Sequence, residues 1–240
     1  MKSYLISSTK KSSGKTIIAT GISSILSRTD SLAVFKKGPD YIDPYWLSLA
    51  SKVNCYNLDF FTMSNSEIKK LYKQMSYEKN ISIIEGNKGL FDGISLDGGD
   101  SNASLAHLLK LEVILVIDCV GMTRGVAPLL KGYQEFDKKI KYKGIILNNI
   151  ANDRHENKVI NAINEFTKLK VIGSIHKNKQ LTIMEKKLGL EPVFQNPYTK
   201  NIIKNISSVI KKSVDMKYLI NKKTNNKDNK IPKVVLKKNI

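Results

Sequence analysis

Tyr4-Leu5-Ile6-Ser7-Ser8-Thr9-Lys10-Lys11-Ser12-Ser13-Gly14-Lys15-Thr16-Ile17-Ile18-Ala19-Thr20-Gly21-Ile22 is the stretch whose reading decides the fold. The apolar run at 4–7 is a strand, and Ile17 to Ile22 opens a helix. Between them lies a Ser/Lys loop ending in Gly14-Lys15-Thr16. Strand, loop, Gly-Lys-Thr and helix in that order is the phosphate-loop arrangement. Its chemistry follows from the residue types. Backbone N–H groups of the loop and helix start point inwards at phosphate oxygens. Gly14 lets the backbone approach closely, Lys15 neutralises the terminal phosphates, and the Thr16 hydroxyl is a Mg²⁺ ligand. Ser12, Ser13, Gly14, Lys15, Thr16 and Ile17 are therefore the candidate nucleotide-binding residues. Thr9 occupies the position where the first glycine is usual, so the match is incomplete. Lys10 sits where some related ATPases carry a lysine that reaches a partner. The plainer alternative, a Ser/Lys turn capping a helix, explains neither the strand before it nor Gly-Lys-Thr after it.

Working outward, further apolar, β-branched runs occur at 32–35, 81–84, 113–117, 144–147 and 171–175. They are short and continuous, as expected of strands buried on both faces. Helical patterns alternate with them at 15–26, 64–75, 103–109, 126–135 and 156–168, and a basic amphipathic helix is expected at 199–212. This alternation predicts an α/β, P-loop NTPase-type three-layer fold: a mostly parallel sheet with helices on both faces. The expected organisation is a domain over 1–198, a helix at 199–220 completing or flanking it, and a basic low-complexity linker at 221–240. Residues 85–102 form a long connection rich in Gly, Asp and Asn, and loops of that length tend to be functional.

Two acidic segments fall at the carboxyl ends of expected strands, where doubly wound sheets place ligands. One is Lys36-Lys37-Gly38-Pro39-Asp40-Tyr41-Ile42-Asp43-Pro44. The other is Glu85-Gly86-Asn87-Lys88-Gly89-Leu90-Phe91-Asp92-Gly93. Asp40, Asp43, Glu85 and Asp92 together can hold Mg²⁺ or orient a nucleophile near a γ-phosphate. Taken singly, Asp40 and Asp43 also read as turn residues around Pro39 and Pro44. Arg124 is equally a phosphate contact or a surface arginine. Asn148 is an adenine-edge contact or a turn residue. His107, His155 and His176 show no ligand spacing, and no metal–His site is assigned.

Composition sets the remaining bounds. The 240 residues carry a net charge of +19. Twelve Lys against Asp215 and Asp228 put +10 of it in residues 200–240. A basic tail can mark nucleic acid, yet this one has no Arg and no aromatic interleaving beyond Tyr218. Its Asn/Lys composition reads as a solvated linker, so no nucleic-acid partner is expected. Cys55 and Cys119 are too few for a disulfide scaffold or a multi-cysteine zinc site. No apolar run reaches the length of a membrane span and no signal-peptide core is present, so a cytoplasmic location without membrane contact is expected.

Five segments in order carry a family resemblance: Ser12-Ser13-Gly14-Lys15-Thr16, Lys36-x-Gly38-Pro39-Asp40-Tyr41-Ile42-Asp43-Pro44, Asn57-Leu58-Asp59, Glu85-Gly86-x-x-Gly89-Leu90-Phe91-Asp92-Gly93 and Gly144-Ile145-Ile146-Leu147-Asn148. Over roughly 3–195 the chain resembles the N-terminal synthetase domain of the cobyrinic acid a,c-diamide synthase family, relatives of dethiobiotin synthetase. The resemblance implies ATP and Mg²⁺ as cofactors and a tetrapyrrole polycarboxylate as substrate. It implies phosphorylation of the a and c acetate carboxylates, then displacement of phosphate by ammonia. Lys15, Lys36, Asp40, Asp43, Glu85 and Asp92 take catalytic positions, with Thr16, Asp43 and Glu85 on Mg²⁺. Tyr41, Ile42 and Asp43 fall at the substrate, Lys36 balances its carboxylate or acyl phosphate, and Asn148 contacts adenine.

The family's C-terminal glutaminase domain has no counterpart here, since neither cysteine lies in a Gly-flanked turn. The sequence is a fragment, or the glutaminase is a separate chain, or free ammonia is used. A homodimer is possible. Two rival readings stay open: amidation of sirohydrochlorin or sirohaem-type tetrapyrroles, and a partition- or iron-chaperone-type switch ATPase, which Lys10 favours.

Overall fold

Seven strands form one parallel sheet in the computed structural model, which describes residues 1–178, 181, 185–186, 189–190 and 197–220. In chain order the elements begin β1 (Lys2–Ser8), α1 (Lys15–Leu26), β2 (Leu32–Lys37), α2 (Asp43–Ser51), β3 (Cys55–Leu58), α3 (Asn65–Met75) and β4 (Ile81–Glu85). They continue with α4 (Asn102–Leu109), β5 (Glu112–Asp118), α5 (Val126–Phe136), β6 (Lys141–Ile150), α6 (Asp153–Phe166) and β7 (Val171–His176). A two-stranded antiparallel pair, β8 (Glu185–Lys186) and β9 (Gly189–Leu190), precedes α7 (Thr199–Ser213) and α8 (Met216–Ile220). Strand order is β3-β2-β4-β1-β5-β6-β7, with β1 central.

Side chains alternate across a strand, and here each face meets its own core. Tyr4, Ile6, Val34, Ile83 and Val116 join α1, α2, α7 and α8 on one side. Leu5, Phe35, Ile84, Leu115 and Leu147 join α3, α4, α5 and α6 on the other. This is the three-layer α/β arrangement that the strand–helix alternation predicts. α7 lies against α1, where the absent Cβ of Gly21 would meet Ile210 Cγ1 at 2.4 Å and Ile206 Cγ2 at 3.1 Å. Ser207 Oγ donates to Ser24 Oγ across the same contact (2.8 Å). The Tyr4 hydroxyl donates to the Leu219 carbonyl (2.9 Å), fixing α8 to the central strand. The expected linker at 221–240 lies outside the described residues, as does most of 179–196.

Two elements go beyond the sequence expectation. β3 is a four-residue edge strand, mostly half-buried and interrupted by Asn57, so its apolar signal is weak. α2 starts where the sequence reads as a turn. The turn exists and launches the helix: Asp40 Oδ1 accepts from the N–H groups of Ile42 (2.9 Å) and Asp43 (3.1 Å). Pro44 then stands in the first helical turn, where its missing N–H costs nothing. α6 begins at Asp153, three residues earlier than expected, because Asn152 caps it through the His155 N–H (2.9 Å).

Candidate active site

The loop between β1 and α1 is braced from several sides. Ser12 (φ 55°) and Gly14 (φ 89°) adopt left-handed backbone, but Thr9 does not. A residue with a side chain is therefore tolerated at the position of the usual first glycine. Ser8 Oγ and Ser13 Oγ both donate to the Lys10 carbonyl (2.6 and 2.9 Å). The Tyr133 hydroxyl of α5 donates to the Thr9 carbonyl (3.0 Å). Lys15 Nζ donates back to Ser8 Oγ (3.0 Å). Burial lowers the Lys15 ammonium to about 8, against the pull of Glu85, Asp43 and Asp92. Asn148, at the end of β6, donates to the Ser13 carbonyl (3.0 Å). Its amide lies 2.3 Å from where a Gly14 Cβ would stand. In this structure Asn148 supports the loop from beneath.

Beside the loop lies a buried charge cluster built by strand register. Lys36 and Glu85 are partners in the β2–β4 ladder, so they face the same side at the sheet's carboxyl edge. Lys36 Nζ lies 2.6 Å from Asp43 Oδ2, 3.1 Å from Glu85 Oε1 and 3.8 Å from Asp40 Oδ2. Thr16 Oγ1 donates to Glu85 Oε1 (2.5 Å) and to Asp43 Oδ2 (3.3 Å). Burial alone would lower the Lys36 ammonium, but Glu85, Asp43 and Asp40 together hold it above its ordinary value. Burial pushes the Glu85 carboxyl up to about 7 although Lys36 pulls it down. Asp43 is raised for the same reason. Glu85 Oε2 is buried without a hydrogen-bond partner. An orphaned carboxylate oxygen beside Thr16 Oγ1 and Asp43 is a hard-oxygen set that fits Mg²⁺.

The remaining expected residues divide. Asp40 braces the turn into α2 through Oδ1, while its Oδ2 faces Lys36 at the margin of the cluster. Asp92 stands apart from Lys36, its Oδ2 accepting from the Gly89 N–H (3.0 Å). Tyr41 is exposed. Ile42, expected at the substrate, is only 7 % exposed and belongs to the same apolar cluster as Trp46 and Leu47. Its apolar side chain is taken by the core, which leaves Tyr41 to face outwards. Lys36 likewise differs from expectation, because three protein carboxylates already balance it. Lys10 pairs within the chain with Asp118 Oδ2 (2.9 Å), and Asn149 holds the other oxygen of that carboxylate (3.0 Å). Arg124 lies over the Phe166 ring, 5.1 Å from its centre.

Several site-shaping residues carry no sequence signal. Asn102, fully buried, donates through Nδ2 to Ser7 Oγ (3.2 Å), the Gly89 carbonyl (2.8 Å) and the Asn87 carbonyl. It also fills the place of a Gly86 Cβ. It folds the loop after Glu85 back under the phosphate loop. Phe91 packs on Tyr133 with ring centres 5.1 Å apart. Asp153, Glu156 and His176 come together although the sequence assigns no His site. His176 Nε2 lies 3.1 Å from Glu156 Oε2, a pair that ties β7 to α6.

Comparison with known proteins gives the family. The chain is 40% identical over 216 residues to a protein from Magnetococcus marinus named cobyrinate a,c-diamide synthase, covering 90% of this chain and 46% of that protein. Proteins of the same name from Methanococcus vannielii (39% identical, 80% and 43% covered) and Picrophilus torridus (38%, 92% and 50%) are similar to it. The chain thus spans about half the length of these relatives. Among solved structures, the MinD cell division protein of Aquifex aeolicus superposes with a TM-score of 0.51 at 15% identity, covering 89% of this chain and 98% of that one. Chloroplast FtsY from Physcomitrella patens gives 0.51 at 12%, covering 85% and 65%. Both likenesses are of fold. No helix among the described residues is long and apolar enough to cross a membrane. A family profile described as an AAA domain matches residues 39–185. With the phosphate loop, the central β1 and that match over more than half of its length, the chain belongs to the AAA domain family and is similar in sequence to the cobyrinate a,c-diamide synthases.

Proposed function

We propose that this chain performs the ATP-dependent step of tetrapyrrole carboxylate amidation, acting on the a and c acetate groups of cobyrinic acid. The observation that carries the reading is the contact of the phosphate-loop Thr16 with Glu85 and Asp43 around Lys36. It supports a site where a γ-phosphate and a carboxylate meet among charges fixed in advance. A substrate carboxylate oxygen attacks the γ-phosphorus and ADP leaves. Ammonia then attacks the acyl carbon and inorganic phosphate leaves, giving the carboxamide. Ammonia comes from glutamine through a glutaminase domain or subunit not among these residues.

The residues divide the work. The backbone N–H groups at 12–17 and Lys15 hold the phosphates, with Asn148 supporting the loop and meeting the adenine side. Thr16, Asp43 and Glu85 would hold Mg²⁺, which neutralises phosphate charge and aligns the terminal phosphate when bound. Lys36 keeps the three carboxylates together and Asp40 fixes the start of α2. Asp92 orders the loop beside the phosphates, and Tyr41 faces the substrate.

The test offers cobyrinic acid and sirohydrochlorin in parallel with ATP, Mg²⁺ and either ammonium or glutamine, and reads products by mass spectrometry. Stepwise acid-to-amide conversion of cobyrinic acid with ammonium, and none with glutamine, is expected. Asp43→Asn should abolish it while nucleotide binding persists. Amidation of sirohydrochlorin alone moves the substrate to the other tetrapyrrole, and no amide from either overturns the reading.

A further inference from the structure

The two lysines that end β2 point to opposite faces of the sheet. Lys36, on the face shared with Val34, is enclosed by three carboxylates. Lys37 lies on the Phe35 face and is 4 % exposed. Its Nζ donates to Asn87 Oδ1 (3.1 Å) and lies 5.7 Å from the centre of the Phe60 ring. Among the described residues no carboxylate forms an ion pair with it. Asp59 and Asp100 act on it from further away. Each is engaged locally, Asp59 with Phe61 N–H and Thr62 Oγ1, and Asp100 with Ile94 N–H and Ser95.

A buried ammonium with three donors and one neutral acceptor is costly. An aspartate at position 87 would have balanced it within the same volume; the chain has an asparagine. Asn87 itself is half-buried and so reaches solvent while holding the lysine. The loops beside it, at the carboxyl ends of β2, β3 and β4, carry exposed Tyr41, Phe61 and Ile94. The cation is therefore uncompensated at the edge where the substrate is expected.

We propose that Lys37 is a second anion anchor of this site, taking a carboxylate of the polycarboxylate substrate other than the one being activated, with the Asn87 amide giving way to it. The inference rests on the amidation reading above. A charge-assisted bond to a carboxylate outcompetes one to a neutral amide. Lys36 is already saturated by Asp43, Glu85 and Asp40. Two fixed points on the substrate then determine which acetate faces Thr16 and Glu85.

The test compares ammonia-dependent amidation of cobyrinic acid by the wild type, Lys37→Met and Asn87→Asp, with KM for each substrate and the melting temperature measured. Lys37→Met should raise the KM for cobyrinic acid about 10- to 100-fold and leave the KM for ATP unchanged. Asn87→Asp should raise the same KM while raising the melting temperature, because the new carboxylate occupies the anion's place. A purely structural Lys37 predicts the opposite for Asn87→Asp: greater stability with an unchanged KM. That result, or an unchanged KM in Lys37→Met, overturns the proposal. If Lys37→Met does not fold, Asn87→Asp decides alone. A wild type that forms no amide removes the amidation reading and this inference together. A wild type that does, with unaltered KM values in the variants, removes only the inference.

Discussion

Lys36 and Lys37 are neighbours of identical chemistry in different electrostatic worlds. Burial lowers the Lys37 ammonium to about 8, with Asp100 and Asp59 raising it and Lys88 and Lys36 lowering it further. Its ordinary value is 10.5. Between those two values the unfolded chain binds a proton that the folded chain has released, so stability rises with pH. Below about 8 both forms are protonated and the penalty is complete, on the order of 3 kcal/mol. Urea unfolding should show Lys37→Met more stable than the wild type at pH 7, with the gap narrowing by pH 9.5. A gap independent of pH would contradict the uncompensated charge. None of this was legible in the sequence. The two acidic segments expose three lysines and four acids, but partner counts depend on the register of Lys36 with Glu85, a contact between strands distant in the chain. The phosphate loop, by contrast, is a local pattern, and Ser12 to Ile17 could be read directly from order and spacing.

Elements that bury both faces were the easiest to read. β1, β4 and β5 carry apolar residues on both faces because helices cover both sides of the sheet. β3 lies at the edge and α2 hides behind Pro-Asp and Asp-Pro, so local chemistry obscured both. α7 was visible from its periodicity, but its docking site was not. That site depends on Gly21, a residue which by helix propensity alone should be a weakness in α1. Gly21→Val should push α7 off α1 and cost about 1–3 kcal/mol by overpacking, with hydrogen exchange in α7 rising more than elsewhere. Uniform protection across the sheet and α7 would show that Ile210 simply moves aside.

At the scale of the molecule, the amphipathic helix that could have been a flanking appendage lies within the main core. Ile203, Ile206, Ile210, Val214 and Leu219 share one cluster with Ile18, Ile22 and Trp46. Each such side chain contributes about 1.5–3 kcal/mol on burial, against a net stability of about 5–15 kcal/mol for a whole domain. A chain ending at Tyr198 should therefore lose cooperative unfolding, as followed by circular dichroism on heating. A sharp transition near that of the full 240-residue chain would make α7 and α8 an accessory. The same core holds the chain's single tryptophan. Trp46 is fully buried on α2, three residues beyond Asp43. The helix that supplies a carboxylate to the charge cluster thus carries the chain's single indole, which can be excited apart from its ten tyrosines. If the proposed nucleotide and Mg²⁺ bind there and α2 shifts, the change is written into one emission band, and occupancy of the proposed site can be followed optically in the unlabelled protein.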